Sequence, residues 1–582
     1  MTTTGIIALV AIGLVAVASA VIGSIGVRVA RSTSDFFVAS RTVGPMANAG
    51  AISGEYLSAA SFLGIAGLIL RDGVDALWYP VGYTAGYLAL VLFVSAPLRR
   101  SGAYTVPDFA EYRLRSGALR RICAVFVVVI GWLYLLPQLQ GAGLTVGTVT
   151  GLPDWTGAAV AAVLVVATVV LGGMRSITFV QAFQYWLKLT ALALPAIVAS
   201  IFFMSDDRTF DRPAPPHFPD RATVDVRTDV ELQVVEPIQF TATGVVDGRA
   251  VVDGPVRWEA GRHTVEAGAE LEFPAGAAVP VVVGAPVNDS AWLAPFSGGR
   301  EHGLLGTYSL IIALFLGTMG LPHVLVRFYT NPDGAAARRT AVFVLALLGC
   351  FYLAVTLLGV LSRLYTPQLL VNGDTDAAVL LLPTAVLGSG LAGALLGALV
   401  AAGAWAAFLS TASGLIVSVA GVLSTDLIGS SRIRDFRLAA VIAGGVPLAL
   451  ALGVTRLDFG EAVALVFAVA ASTFCPLLLL GIWWRGLTAA GGMAGVLVGG
   501  ITSAGAVSLG LAGVVESGWL GVLLYRPAIV TVPAAFLTMI VVSRLTARRR
   551  PVDADQVLLR MHAPERLGLS RDRLADSHHP TW

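Results

Sequence analysis

The sequence predicts an all-α polytopic membrane protein. We expect thirteen transmembrane helices, a core of two inverted five-helix repeats, and a small extracytoplasmic β-rich insertion. The 582-residue chain is 56% hydrophobic and only 13% charged, with a mean hydropathy of +0.80. A soluble chain cannot bury that much apolar surface. Long apolar runs recur along the chain, and two of them, 50–70 and 404–426, keep small and hydroxyl residues at their centres.

Thirteen apolar runs are long enough to cross a bilayer as helices, which takes about 20 residues. The first run is interpreted as a retained span rather than a signal peptide, because Arg28 and Arg31 follow it and no positive charge precedes it. The stretch 377–388 is short and contains Pro383, which favours a half-inserted or external helix. The predicted spans are 5–26, 46–70, 74–97, 122–148, 155–173, 179–204, 303–326, 340–362, 390–424, 437–454, 460–482, 488–511 and 524–543.

The distribution of arginine sets the expected orientation. With the N-terminus outside, the cytoplasmic loops and the C-terminal end hold 21 arginines, and the short outer loops hold only Arg71, Arg363, Arg456 and Arg526. Cytoplasmic loops carry the excess of positive charge in membrane proteins. We therefore expect a plasma-membrane protein with its N-terminus outside and its C-terminus in the cytoplasm.

Two segments do not have membrane character. Residues 205–300 alternate polar and apolar side chains and hold 15 acidic residues against 8 arginines, which is typical of a small external β-rich module. The polar, arginine-rich tail is too short for a folded catalytic domain. The predicted divisions are 1–45 (first span and inner loop), 46–204 (first repeat), 205–302 (β-rich insertion), 303–482 (second repeat), 483–545 (two further spans) and 546–582 (cytoplasmic tail).

The odd number of predicted spans in each half of the core predicts an inverted repeat. Each of the units 46–204 and 303–482 holds five predicted spans, and an odd number forces the second unit into the membrane upside down. Secondary transporters with this architecture bind their solutes at mid-depth, where interrupted helices meet. Glycine and proline are also simply common in membrane helices, and that alternative stays open. The candidate interruptions are Gly50, Ser53, Gly54 and Ser58 in the first unit, and Gly317, Thr318, Gly320, Pro322 and His323 in the second.

Five residues are candidates for a monovalent cation site. Ser410 and Thr411 offer adjacent hydroxyls, and the carbonyl of Ala407 lies one turn earlier. Gly54 and Leu57 offer carbonyls from the opposing interrupted helix. Neutral oxygens of this kind can hold Na⁺ without the cost of burying a full charge. Alternatively, the hydroxyls bond back to carbonyls of their own helix.

Seven sequence segments carry a family resemblance: SDFFVASRTVGP (34–45), GEYLSAASFLGIAGLI (54–69), YTVPDFAEYRLRS (104–116), LYLLPQLQGAG (133–143), LGGMRSITFVQ (171–181), GLPHVLVRFYT (320–330) and FLSTASG (408–414). They resemble the sodium:solute symporter family, and most closely its cation–acetate branch. The resemblance implies a LeuT-type inverted repeat and a Na⁺ site made by the carbonyls of Gly54, Leu57 and Ala407 with the hydroxyls of Ser410 and Thr411.

The same resemblance bears on the substrate. Sugar-carrying relatives have a carboxylate where this chain has Pro80. A small carboxylate needs only a few donors and a tight apolar wall. For each candidate donor, an interhelical hydrogen bond is the alternative role. The candidate substrate-binding residues are Ser58, Ser61, Tyr79, Gln138 and Thr318.

Five further polar residues are candidates for coupling or gating. Glu55 would tune cation affinity, accept a proton or cap a half-helix. His323 would act as a pH-sensitive gate or, as we prefer, stabilise the kink. Lys188, the only lysine, lies mid-span and needs a partner or a purpose, such as attracting the anion or forming part of a second cation site. Gln184 stands where the acetate branch usually has a lysine, and Gln181 lies one turn before it.

These expectations describe a Na⁺-coupled symporter that imports a monocarboxylate of the acetate, propionate or pyruvate class. The alternatives are a proton-coupled carrier and a transporter-like sensor or receptor. An enzyme is not expected, since the seven histidines show no metal-ligand spacing and no nucleophile–base set appears. We expect no cofactor besides Na⁺ as coupling ion, no nucleic-acid partner and contact with the lipid bilayer; an accessory protein is left open.

Overall fold

The computed structural model describes most of the chain. The predicted inner loop with Arg31 and Arg41, the outer-loop Arg456 and the end of the tail lie outside the described residues, as do the side chains of Arg28 and Arg175. The described residues are 3–29, 44–206, 208–210, 215–296, 302–328, 331, 333–429, 432–454, 458–515, 517–564 and 567.

Helices make up most of this structure. The predicted spans 155–173 and 179–204 fall within one assigned helix, whose two apolar stretches are 154–172 and 176–205. The helices are α1 (Thr3–Val29), α2 (Pro45–Tyr56), α3 (Ile65–Asp72), α4 (Trp78–Leu90), α5 (Ala96–Arg100), α6 (Val106–Leu114), α7 (Gly117–Thr150), α8 (Asp154–Ser205), α9 (Asp289–Leu293), α10 (Gly303–Gly320), α11 (Pro322–Phe328), α12 (Gly334–Tyr365), α13 (Leu369–Asn372), α14 (Ala378–Leu387), α15 (Leu391–Val422), α16 (Ile433–Gly453), α17 (Phe459–Trp483), α18 (Ala489–Leu511), α19 (Gly518–Tyr525), α20 (Ala528–Leu545) and α21 (Ala554–His562).

Twelve helical segments of the described chain are long and apolar enough to cross a membrane. The difference from the thirteen predicted spans arises at residues 60–100, which count as a single helical segment of 41 residues. A straight helix of that length would measure about 60 Å, roughly twice the hydrocarbon thickness. Gly73, with a φ of +65°, interrupts the segment. The count of thirteen therefore stays a prediction, with Gly73 as the expected turning point.

Two helices are interrupted in the predicted places. The first stops at Tyr56 and resumes with a π-helical turn at Ala60, because Leu57 adopts an extended backbone (φ −81°, ψ 91°). The second breaks at Leu321 (φ −73°, ψ 114°), and Pro322 opens the next helix. Proline has no N–H to donate, so it fits the first turn of a helix and ends the preceding one. α14, which contains Pro383, is only ten residues long.

The segment between the two helical units folds into an antiparallel sheet in the order β1-β6-β3-β5-β2-β7, with β4 paired to β3. Asp247 and Gly248 form the two-residue turn between β3 and β4, and their φ values of +49° and +70° are those of a type I′ hairpin. The strands are β1 (Ala222–Asp225), β2 (Val230–Val234), β3 (Ile238–Val246), β4 (Arg249–Trp258), β5 (Gly261–Val265), β6 (Glu270–Phe273) and β7 (Val281–Val282).

The sheet packs directly onto the helical bundle. Its core, which includes Phe240 and Leu271, is continuous with Leu70 at the end of α3 and with residues 369–371 and 377–378. Trp292 of α9 donates its indole N–H to the carbonyl of Ile69 over 2.8 Å. The shared apolar core and this buried hydrogen bond hold the sheet against one end of the bundle.

Candidate functional site

The first interruption exposes backbone oxygens inside the bundle. In an unbroken helix the Gly54 carbonyl would accept a bond from the N–H of residue 58, and the extended backbone at Leu57 prevents this. A Cβ at position 54 would collide with the carbonyl oxygen of Gln181. Glycine therefore allows α2 to approach α8 closely, at the point where the helix opens.

The Lys188 ammonium, which is fully buried, lies among these oxygens. Its Nζ donates to the carbonyl of Gly54 over 2.5 Å and to the carbonyl of Leu57 over 2.8 Å. It also donates to the Ser410 hydroxyl over 2.8 Å. An ammonium has three hydrogens to donate, and these bonds use all three.

The hydroxyls of α15 complete the cluster. The Ser410 Oγ lies 2.6 Å from the Gly54 carbonyl oxygen and 3.0 Å from that of Ala407, so its single hydrogen serves one of these two acceptors. Thr411 donates to the carbonyl of Glu55 over 2.7 Å. Three of the five residues predicted to bind a cation, Gly54, Leu57 and Ser410, thus contact Lys188 directly. Ala407 joins the cluster through Ser410, and Thr411 joins it through the carbonyl of Glu55.

A buried ion pair lies next to this cluster. Arg327 of α11 donates its Nε to the Glu55 carboxylate and a terminal nitrogen to the side-chain oxygen of Gln181. Its other terminal nitrogen donates to the Thr178 hydroxyl over 2.9 Å. Gln181 in turn donates to the carbonyl of Ser410 over 2.7 Å. The network therefore joins α2, α8, α11 and α15 at the two interruptions.

The location of Arg327 differs from the one predicted from the sequence. The charge count placed it among the cytoplasmic loop arginines, but its side chain is only 1% exposed and lies in the core. The available signal was Glu55: a carboxylate within a membrane span needs a cationic partner. Arg363 was likewise assigned to an outer loop, and it is buried and paired with Asp289 over 3.3 Å.

Three of the predicted polar residues flank Tyr134. Gln138 accepts the backbone N–H of Ala59 over 2.9 Å, and Tyr134 donates to the Ser58 hydroxyl over 3.4 Å. The His323 ring lies 5.1 Å from the Tyr134 ring, centroid to centroid. Within the described residues, the Gln138 amide nitrogen and both His323 ring nitrogens are buried and have no hydrogen-bond partner. Unused donors inside the bundle are available to a bound solute.

The other predicted polar residues lie further from Tyr134 or have protein partners. Ser61 lies 3.4 Å from the Tyr352 hydroxyl. Thr318 donates to its own helix at Leu314 over 2.8 Å. Tyr79 lines a cavity at the end of the bundle that the sheet covers. Gln184 contacts α1 through the Ser19 hydroxyl at 3.0 Å. Sequence reasoning missed the aromatic side chains here, which are Tyr56, Tyr83, Tyr87, Tyr134, Tyr352 and Phe467.

The profile of the sodium:solute symporter family matches residues 36–220 and 300–499. The chain belongs to this family. Two curated relatives are 28% identical to it: the uncharacterized symporter YwcA of Bacillus subtilis and a monocarboxylic acid transporter of Corynebacterium glutamicum. The alignment covers 87% of this chain and 88% of the former, and 88% of this chain and 86% of the latter. The family and these relatives are transporters rather than enzymes.

The fold of this symporter resembles that of a Na⁺-coupled sialic acid symporter solved in a substrate-bound outward-open state. The TM-score is 0.62 at 13% identity, with 93% of this chain and 98% of the other covered. At this identity the likeness shows the fold alone. The chain is a multi-pass membrane symporter, with twelve candidate spans among its described residues.

A cavity of about 820 Å³ lies between the sheet and the bundle of the symporter. Arg71 on its wall is paired with Asp72 over 3.0 Å, with Glu461 over 2.7 Å and with Asp458. Arg262 and residues 282–285 line the cavity from the sheet side. The β-rich module therefore forms one wall of a charged vestibule rather than an independent appendage.

The five oxygens predicted to hold Na⁺ suit a monovalent cation but do not leave room for that ion. Three of them accept hydrogen bonds from Lys188, and an ammonium at 2.5–2.8 Å occupies the space that Na⁺ would take. Adding Na⁺ would also place two positive charges in one buried site, where like charges repel strongly. This arrangement therefore does not fit Na⁺ at these residues.

Proposed function

We propose that this symporter imports a small monocarboxylate of the acetate, propionate or pyruvate class by alternating access. One observation carries the proposal: the Gln138 amide nitrogen and the His323 ring, both buried and unpartnered within the described structure, flank Tyr134 at the interruption. Two or three donors inside an aromatic enclosure suit a carboxylate with a short alkyl group. The Corynebacterium relative, named a monocarboxylic acid transporter, supports the same class.

The route of the substrate follows from the tyrosines. Tyr79 lines the vestibule, its ring lies 6.5 Å from that of Tyr83, and Tyr83 lies 6.2 Å from Tyr56 at the end of α2. This series leads from the vestibule to the interruption. We propose that the substrate enters through the vestibule and passes these rings when they change rotamer. Ser61 and Thr318, predicted as substrate contacts, would then line the path.

The proposed coupling ion is Na⁺, in agreement with the family and with the Na⁺-coupled structural neighbour. A second candidate is the proton, and one observation favours it: Lys188 fills the cation cluster predicted for Na⁺. One Na⁺ carried with one monocarboxylate is electroneutral, and each further positive charge adds about 2.3 kcal/mol per 100 mV of membrane potential. The ion stoichiometry therefore decides how far uptake can concentrate the acid.

The proposed membrane topology is thirteen crossings, with the units 46–204 and 303–482 related as inverted repeats. The N-terminus would lie outside and the C-terminus in the cytoplasm of a plasma-membrane protein. The arginine bias supports this orientation, and the paired interruptions at Leu57 and Leu321 support the repeat. In this orientation the sheet and its vestibule face the exterior.

Uptake of labelled acetate into proteoliposomes tests the proposal, with Na⁺ and pH gradients imposed separately. Accumulation driven by an inward Na⁺ gradient at equal pH supports Na⁺ coupling. Accumulation driven only by an acidic exterior supports proton coupling. Passive diffusion of acetic acid is measured with protein-free vesicles under the same gradients and subtracted. Absence of protein-dependent uptake of acetate, propionate and pyruvate under either gradient would refute the substrate class.

A further inference from the structure

The position of Lys188 is fixed by its surroundings. Its side chain is fully buried, and its Nζ donates to the carbonyls of Gly54, in α2, and Leu57, just after α2, and to the Ser410 hydroxyl of α15. The contact between Gly54 and the Gln181 carbonyl sets the separation of α2 and α8. A lysine on α8 therefore reaches the interruption only because α2 carries glycine at this contact.

The carboxylate near the cluster is already paired, so it cannot neutralise a second cation bound beside Lys188. Glu55, the carboxylate of the neighbouring network, is already in an ion pair with Arg327. The described groups that α15 contributes are the neutral oxygens of Ala407, Ser410 and Thr411. The pair and the ammonium together carry one net positive charge, which is what a single bound Na⁺ would supply.

We propose that the Lys188 ammonium is the resident cation of this cluster and replaces Na⁺ there. The ammonium joins α2 to α15 through the same carbonyls and hydroxyl that Na⁺ would contact. This inference deepens the proposed function, because it states what the predicted ion site holds. A Na⁺ ion can dissociate into the cytoplasm, whereas a tethered ammonium cannot. The cluster therefore transports no Na⁺, and any Na⁺ that drives uptake binds at other residues.

The test compares Na⁺ binding to purified full-length protein without substrate. Thermal unfolding is measured in NaCl and in choline chloride at equal ionic strength, and ²²Na⁺ binding is measured in parallel. For the wild type we expect no Na⁺-dependent rise in Tm, and no ²²Na⁺ binding, that is lost in the Ser410→Ala variant. In Lys188→Ala the vacated oxygens become available, and we expect saturating Na⁺ to raise Tm by about 3 °C.

Matched variants separate the resident-cation role from simple packing. Lys188→Met fills the same space without a charge, so we expect it to lose stability without gaining a Na⁺ response. The double variant Lys188→Ala with Ser410→Ala removes a ligand from the vacated site, and its Na⁺ response should be lost. If Lys188→Ala does not fold, the wild type and Ser410→Ala still decide the question.

Two results would overturn the inference. One is Na⁺-dependent stabilisation of the wild type that disappears in Ser410→Ala. The other is a folded Lys188→Ala protein that neither binds ²²Na⁺ nor responds to Na⁺. Stabilisation of the wild type by acetate is recorded in the same experiment. Its absence would count against the proposed substrate and leave the conclusion about Lys188 standing.

Discussion

Thr411 donates its hydroxyl to the carbonyl oxygen of Glu55 over 2.7 Å, and both groups are buried. The bond joins the last turn before the interruption to α15, which is largely buried in the bundle. It is independent of Lys188, which holds the neighbouring carbonyls of Gly54 and Leu57. Side-chain donors on two different helices therefore hold the open end of α2.

Thr411→Val should destabilise the protein while preserving shape, because it leaves the Glu55 carbonyl buried without this donor. An unsatisfied buried acceptor costs about 1–3 kcal/mol. We expect a lower Tm in detergent and at least a fivefold fall in acetate uptake. Thr411→Ser keeps the hydroxyl and is the matched control. Equal stability of the valine and serine variants would show that the bond does not hold α2.

Arg327→Met should be strongly destabilising, because it leaves the Glu55 carboxylate in the core without its partner. Breaking a buried ion pair costs roughly 3–5 kcal/mol, whereas replacing both members by apolar groups is often tolerated. We therefore expect the double variant with Glu55→Leu to recover part of the lost Tm. Arg338→Met, which changes an exposed arginine nearby, is the control and should leave Tm unchanged. An Arg327→Met protein as stable as the control would contradict the structural role of the pair.

Hydropathy and local chemistry predicted much of the bundle from the sequence. The interruptions near Gly54 and Pro322 follow from residues that weaken or end helices wherever they occur. The strand character of the β-rich segment follows from alternation, and its Asp247–Gly248 turn has a local signature. The strand order could not be predicted, because β1 pairs with β6 and β2 with β7 across long separations.

The sequence predicted which residues form the cation cluster but not which side chains contact one another there. Spacing along α15 places Ala407 and Ser410 one turn apart, which any helix would do. That Lys188 reaches Gly54 depends on the distance between two packed helices, and sequence alone does not give that distance. Arg327 was misplaced because counting loop charges assigns any arginine near a span end to water. Only the fold reveals that its partner is Glu55.

Gln138→Glu should weaken acetate binding selectively. The glutamate keeps an acceptor for the Ala59 N–H but replaces the unpartnered amide donor with a carboxylate that repels the substrate anion. We expect KM to rise by at least tenfold, equivalent to about 1.4 kcal/mol, and Tm to fall, because the buried carboxylate lacks a cationic partner. Gln140→Glu is the matched control, since Gln140 donates to the carbonyl of Val454 instead. Parallel KM changes in both variants would remove Gln138 from the substrate site.

Acid should loosen the β-rich module through Asp247. Burial alone would raise the pKa of this carboxyl, but bonds from the His263 ring, the Thr264 N–H and the Trp258 indole hold the pKa below its ordinary value of 3.8. A carboxyl whose pKa is lower in the folded state than in the unfolded state stabilises the folded state at pH values above the unfolded pKa. This stabilisation is lost as the pH falls through the folded pKa. We expect pepsin to cleave residues 238–265 of the full-length protein increasingly as the pH falls from about 4 to 2. Asp247→Asn keeps the side-chain shape but cannot titrate, so its cleavage should depend less on pH. Identical pH profiles for the two proteins would exclude Asp247 as the source of the acid sensitivity.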